Sequence, residues 1–232
     1  MRKIIIITVC AMLAMVISAQ ESNSSSESWF ERDLTLFFDG HIGTNYASIF
    51  GSRISKNMGF FSLVDVSHKS GFGVGFYRMD DFSKETTGRI GFVDLYWAGS
   101  LTENISVYAA GEYGWWDNWK EGRFFSPYGI LSYQLKSWNI AATPIFIWYD
   151  RLPEGNRQFI LKMEVSKQLF KGTSARLAGW YDNQNPDKFH FAAGVTQSLP
   201  ANTYLALDGV WKPGDMGEKF LSIGVGVRFR SK

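Results

Sequence analysis

The stretch SGFGVGFYR, residues 70–78, sets glycines at 71, 73 and 75 with Phe72, Val74 and Phe76 between them. Glycines this close raise the question of a phosphate-cradling loop. A dinucleotide fingerprint needs Gly-x-Gly-x-x-Gly between a strand and a helix. Here Phe76 stands where the third glycine belongs, and MDDFSKETTG follows without helical spacing. The period is two, that of a strand whose side chains alternate between faces. One face is apolar and the other nearly bare. LSIGVGVRFR, residues 221–230, repeats the pattern: Leu221, Ile223, Val225, Val227 and Phe229 oppose Ser222, Gly224, Gly226 and Arg228.

Outward from these two segments the alternation recurs with no helical stretch between. It predicts strands near 33–43, 58–68, 72–79, 88–98, 104–115, 124–134, 139–149, 157–168, 173–182, 188–198, 203–212 and 219–230. Each is roughly 10 residues long, enough for a tilted strand to cross a bilayer. The connections alternate in kind. One set is longer and polar, such as TNYASIFGSRISKN, DDFSKETTG and DRLPEGNR; the other is short, such as KSG, LKSW and LFKG. Four short connections pair a leucine with a following Asn or Thr: Leu101 with Asn104, Leu135 with Asn139, Leu169 with Thr173, and Leu199 with Asn202 or Thr203. The leucines are 34, 34 and 30 residues apart, so one repeat is a hairpin plus its turn.

The chain opens MRKIIIITVCAMLAMVISAQ. A basic start, an apolar run and Ile17-Ser18-Ala19 read as a secretory signal peptide, residues 1–19, cut after Ala19. Cys10 is the only cysteine, so the mature chain is expected to carry no disulfide framework or thiol chemistry. Cleavage removes two of the 24 basic residues and none of the 22 acidic ones, leaving no net charge and no basic excess for nucleic acid. Residues 20–32, QESNSSSESWFER, read as a flexible polar leader, and residues 33–232 as one domain.

A meander this long must close its edges, and a barrel does so. A soluble barrel keeps its apolar face inside; a membrane barrel turns it out, with an even strand number and short turns at one end. The polar faces decide. They carry Asp65, Asp94, Glu112, Lys162, Glu164, Arg176, Asp208 and Arg228. Burial in a dry core would cost several kcal/mol for each unpaired charge, whereas a wet lumen costs far less. Opposite faces such as Phe159-Leu161-Met163-Val165 suit lipid. Trp115, Trp116, Trp119, Trp148, Trp180 and Trp211 fall beside long loops and Trp97 and Trp138 beside short turns, as two interfacial aromatic belts require. The fold class expected is all-β: a closed up-and-down antiparallel transmembrane barrel of about 12 strands.

Over residues 33–230 the chain resembles a Gram-negative outer-membrane β-barrel. FLSIGVGVRFR is similar to the terminal assembly strand of that class, here followed by Ser231 and Lys232. The strand number and GFFSLVDVSHKSG are similar to nucleoside-specific channel-like barrels. The resemblance implies an outer-membrane location, with outer-membrane lipid and lipopolysaccharide as partners.

Three functions stay open. The first is a narrow channel for passive diffusion of small polar solutes. Asp65, Asp94 and Glu112 on the second, fourth and fifth strands would oppose Lys162 and Arg176 on the eighth and ninth, with Glu164 beside them, and set a transverse field across a constriction. The alternative for the same charges is a plugged barrel in which they neutralise one another. The second function is a structural or assembly subunit. The third is a lipid-modifying enzyme: His68 and Ser70 in SHKSG resemble the His-x-Ser-Asn of outer-membrane phospholipase and lipid A deacylase barrels, with Gly71 in place of Asn. Against this, a three-residue turn Lys69-Ser70-Gly71 sets Val66 opposite Val74 and Val64 opposite Phe76, with Gly71 left-handed. His41 and His190 have no metal-pair spacing, Asp80 and Asp81 read as a solvated loop, and no cofactor is expected.

Overall fold

The computed structural model describes residues 34–44, 57–82, 89–116, 122–150, 157–184, 189–211 and 219–231. The signal peptide, the polar leader, Trp119 and most of each long loop lie outside them. Twelve strands run β1 (Leu34–Gly43), β2 (Gly59–His68), β3 (Phe72–Asp81), β4 (Arg89–Ser100), β5 (Ile105–Trp116), β6 (Arg123–Leu135), β7 (Trp138–Tyr149), β8 (Arg157–Phe170), β9 (Thr173–Asp182), β10 (Phe189–Ser198), β11 (Thr203–Trp211) and β12 (Lys219–Arg230). Each pairs antiparallel with its sequence neighbour, and β1 pairs with β12 to close the barrel. The start of β1 and the end of β12 meet at the short-turn edge, where Phe37 pairs with Arg230.

The outward face is apolar around the ring. Phe72, Leu95, Leu131, Leu177, Leu205 and Ile223 are all exposed. In water such a continuous band would be an aggregation surface; against hydrocarbon it is solvated. The barrel therefore sits in a membrane. The four repeat leucines, Leu101, Leu135, Leu169 and Leu199, are exposed at the short-turn edge, which explains their spacing: one per hairpin at the lower end of each repeat. At the opposite edge Trp115 pairs with Arg123, Trp148 with Arg157 and Trp211 with Lys219, the three basic residues being exposed. Indole at the interface beside a cation reaching for headgroups is the arrangement that anchors a barrel's rim. Lys167 lies 4.5 Å over the Trp138 ring at the short-turn end. Trp180 departs from the expected belt. It is inward and only 3% exposed, because it shares parity with Arg176 and Ala178 on β9.

The interior also departs from a lumen polar along its whole depth. Met79, Ile90, Phe124, Ile145, Ile147, Ile160, Trp180, Val210 and Phe220 form one buried apolar cluster in the long-loop half. Phe61, Phe92, Tyr128 and Tyr149 pack against it. A barrel of this strand number is narrow enough for inward side chains to meet. The polar half of the interior lies toward the short turns.

The turn at Lys69-Ser70-Gly71 has the register expected: Val66 pairs with Val74 and Val64 with Phe76. Gly71 has φ +94°, and its amide donates to the His68 carbonyl at 2.9 Å. A Cβ at Gly71 would collide with the Ala98 carbonyl of β4 and lie 3.0 Å from Trp97 Nε1. Gly71→Val therefore combines a left-handed backbone with a backbone clash. The expected result is a loss of roughly 1–3 kcal/mol, read as a lower urea midpoint of the heat-modifiable folded band. An unchanged midpoint would mean that this turn relaxes freely.

Candidate functional site

The inward glycines answer the question raised by residues 70–78. Tyr96 pairs with Gly73 and lies across it, so that its hydroxyl donates to Asp65 Oδ1 at 2.9 Å, one strand further on. Tyr204 pairs with Gly226 and reaches past it to donate to Asp39 Oδ1 at 2.7 Å. Arg176 pairs with Gly194, which pairs with Asp208. Across that gap Arg176 Nε and Nη2 donate to Asp208 Oδ1 at 2.9 and 2.7 Å. In each case a strand without a side chain lets a long polar group bridge its two neighbours. A Cβ at any of the three glycines would collide with the bridging group.

All eight candidate residues fall on inward positions, yet they group differently from two opposed rows. On β8, β9 and β11 the charges pair along one wall. Lys162 Nζ is 2.7 Å from Glu164, and Arg176 Nη1 is 3.5 Å from the same carboxylate. With the Arg176–Asp208 bridge this wall holds two basic and two acidic groups and is neutral. Arg228 Nε is 2.7 Å from Asp39, an inward acid that the sequence reading missed. The opposite wall is acidic. A single hydrogen-bonded row runs Asp65, Gly75, Asp94, Glu112, Ser126 across β2 to β6. Tyr128 donates to Asp94 Oδ2 at 2.6 Å, and Tyr108 lies 3.4 Å from it. Tyr96 and Tyr108 stack at 4.8 Å and Tyr108 and Tyr128 approach to 5.7 Å, a tyrosine ladder on the short-turn side of the acids. Lys162 and Arg176 lie three to six strands round the ring from Asp65, Asp94 and Glu112, but their partners are Glu164 and Asp208. The expected transverse field is reduced to an acidic wall facing a neutral one.

A polar cavity of about 340 Å³ occupies the short-turn half beside the neutral wall, lined among others by Gln134, Asn139, Glu164, Ser174, Arg176 and Thr196. His41 and His190 point inward; His190 is fully buried and the His41 ring lies 5.1 Å from that of Phe61. At the turn, His68 Nδ1 is 2.8 Å from Ser70 Oγ and accepts the Ser70 amide at 3.2 Å. A hydrolytic His takes the serine proton on one nitrogen while a third group orients the other. Here a single nitrogen faces both the hydroxyl and the amide of Ser70, the geometry of a closed turn.

No family model and no curated protein matches the chain. Solved structures do. A structure described as "KdgM porin in complex with disordered oligogalacturonate" is 9% identical with a TM-score of 0.58, covering 84% of this chain and 98% of that one. The NanC porin is 13% identical with a TM-score of 0.55 at 84% and 98% coverage. The outer membrane phospholipase dimer of Salmonella typhi with bound calcium is 11% identical with a TM-score of 0.52 at 84% and 90% coverage. At these identities the likeness is one of fold: the chain is a closed twelve-stranded barrel of the outer-membrane kind, and its apolar exterior agrees.

Proposed function

We propose that the barrel is a narrow outer-membrane channel for passive diffusion of small polar solutes, favouring cationic and neutral solutes over acidic ones. The observation that carries this reading is the interior of the short-turn half, a polar cavity bordered by ion pairs. Porins of similar fold support it. The KdgM porin is described with an oligogalacturonate, a polyanion. Asp65, the half-buried acid of this row, would repel such a solute here. Liposome swelling across sugars, nucleosides and amino acids tests the reading. Cationic amino acids and small neutral sugars should enter faster than acidic sugars of equal size. Faster entry of the acids would overturn the charge argument.

A second reading, a structural or assembly barrel, is favoured by the buried apolar cluster in the long-loop half, where Ile145 and Ile160 are 0% and 1% exposed. A barrel silent in planar bilayers that copurifies with a stable protein partner would support this reading against the channel.

A further inference from the structure

Asp94 and Glu112 are 1% and 3% exposed and directly opposite on β4 and β5. Ser126, 0% exposed, is directly opposite Glu112 on β6. Each keeps a buried oxygen with no hydrogen-bond partner: Asp94 Oδ1, Glu112 Oε1 and Ser126 Oγ. Among the described residues no basic side chain is ion-paired with either carboxylate. The other Asp94 oxygen takes the hydroxyl of Tyr128. Two carboxylates side by side without a counter-charge are costly to bury, and an unsatisfied serine hydroxyl adds to the cost. Directly opposite positions on an antiparallel pair bring side chains within about 5 Å. The Asp94 and Glu112 carboxyl groups are therefore within hydrogen-bonding reach of each other, Ser126 Oγ adjoins Glu112 from the other side, and a cation held at the carboxylate pair would satisfy the oxygens that face it.

We propose that Asp94, Glu112 and Ser126 form a binding site for a hard divalent cation, with Ca²⁺ the best fit. The donors are all oxygen, with no imidazole or thiolate, which selects hard ions. Ca²⁺ tolerates irregular geometry and varied ligand number better than Mg²⁺, which suits side chains held by a rigid sheet. A bound ion would cross-link β4, β5 and β6 from inside. Asp65, in the same row, is outside the site because Gly75 on β3 separates it from Asp94. The inference does not depend on whether the barrel conducts, and a bound ion would offset the charge of Asp94 and Glu112 and leave Asp65 as the uncompensated acid of the row.

The test uses the full protein in detergent, freed of lipopolysaccharide and chelator-treated, with Tb³⁺ as the probe. Tyr108 and Tyr128 lie at Asp94 and would sensitise its emission. Wild type should give saturable emission displaced by Ca²⁺, and Ca²⁺ should raise the temperature at which the folded gel band is lost. Asp94→Asn and Glu112→Gln should each weaken Tb³⁺ binding at least tenfold and abolish the Ca²⁺ shift, while Asp65→Asn keeps both. If the carboxylate variants do not fold, Ser126→Ala serves, with a severalfold loss expected. Wild type giving no Ca²⁺-displaceable emission, as when a proton alone bridges the pair, would overturn the proposal. So would binding undiminished in the variants that fold.

Discussion

Trp180→Ala should destabilise the barrel by about 3–5 kcal/mol, the cost of emptying a large buried aromatic site, and should raise single-channel conductance. Trp180 is 3% exposed within the apolar cluster that fills the long-loop half. Ile145 and Ile147 on β7, Ile160 on the adjacent β8 and Phe220 on β12 belong to the same cluster. Removing the indole takes away the largest side chain of this layer and the ring beneath Lys162, whose Nζ lies 5.6 Å from its centroid. The sheet relaxes little, because each strand is held on both sides by its ladder. The vacated volume should then be wetted from the polar half below. Urea titration of the folded band measures the first effect and a planar bilayer the second. Lost stability with unchanged conductance would place the constriction outside the apolar layer. A silent wild type with a conducting variant would favour the plugged barrel over the open channel.

The sequence was most readable where one physical constraint acts alone. Lipid demands an apolar outward face at every second residue, so strand positions, hairpin register and closure all followed from alternation. The strands from Leu34–Gly43 to Lys219–Arg230 lie within two residues of expectation at every end. The inward face obeys no such single rule. Charged residues there mark the polar half, while Ile145, Ile147 and Ile160 at the same parity build the apolar layer. Trp180 followed the same error, since nearness to a loop says nothing about parity. Pair identities were hidden for another reason. Arg176 finds Asp208 two strands away because Gly194 leaves the intervening position empty. A glycine facing long polar residues in both neighbouring registers is the signal that could have revealed this. It becomes legible only once the registers are laid side by side.

Replacing Lys162 and Arg176 together by Gln should shift the reversal potential of a conducting barrel strongly toward cations. The wall of β8, β9 and β11 is neutral because these two cations balance Glu164 and Asp208. Glutamine keeps much of the length and hydrogen-bonding capacity but leaves both carboxylates uncompensated. That wall would then match the acidic one formed by Asp65, Asp94 and Glu112. The interior would retain Arg228, itself held by Asp39 at 2.7 Å. Charge of one sign on both sides of a narrow bore excludes anions far more than an acidic wall facing a neutral one. Stability should fall as well. The paired side chains are 16–34% exposed, so they are screened less than surface ion pairs. Stranding Asp208 without its two guanidinium bonds should cost about 1–3 kcal/mol. Lys162→Gln alone should move the potential less, since Arg176 still balances one of the two carboxylates. A double variant that folds and conducts with the wild-type reversal potential would show that permeating ions never pass this wall.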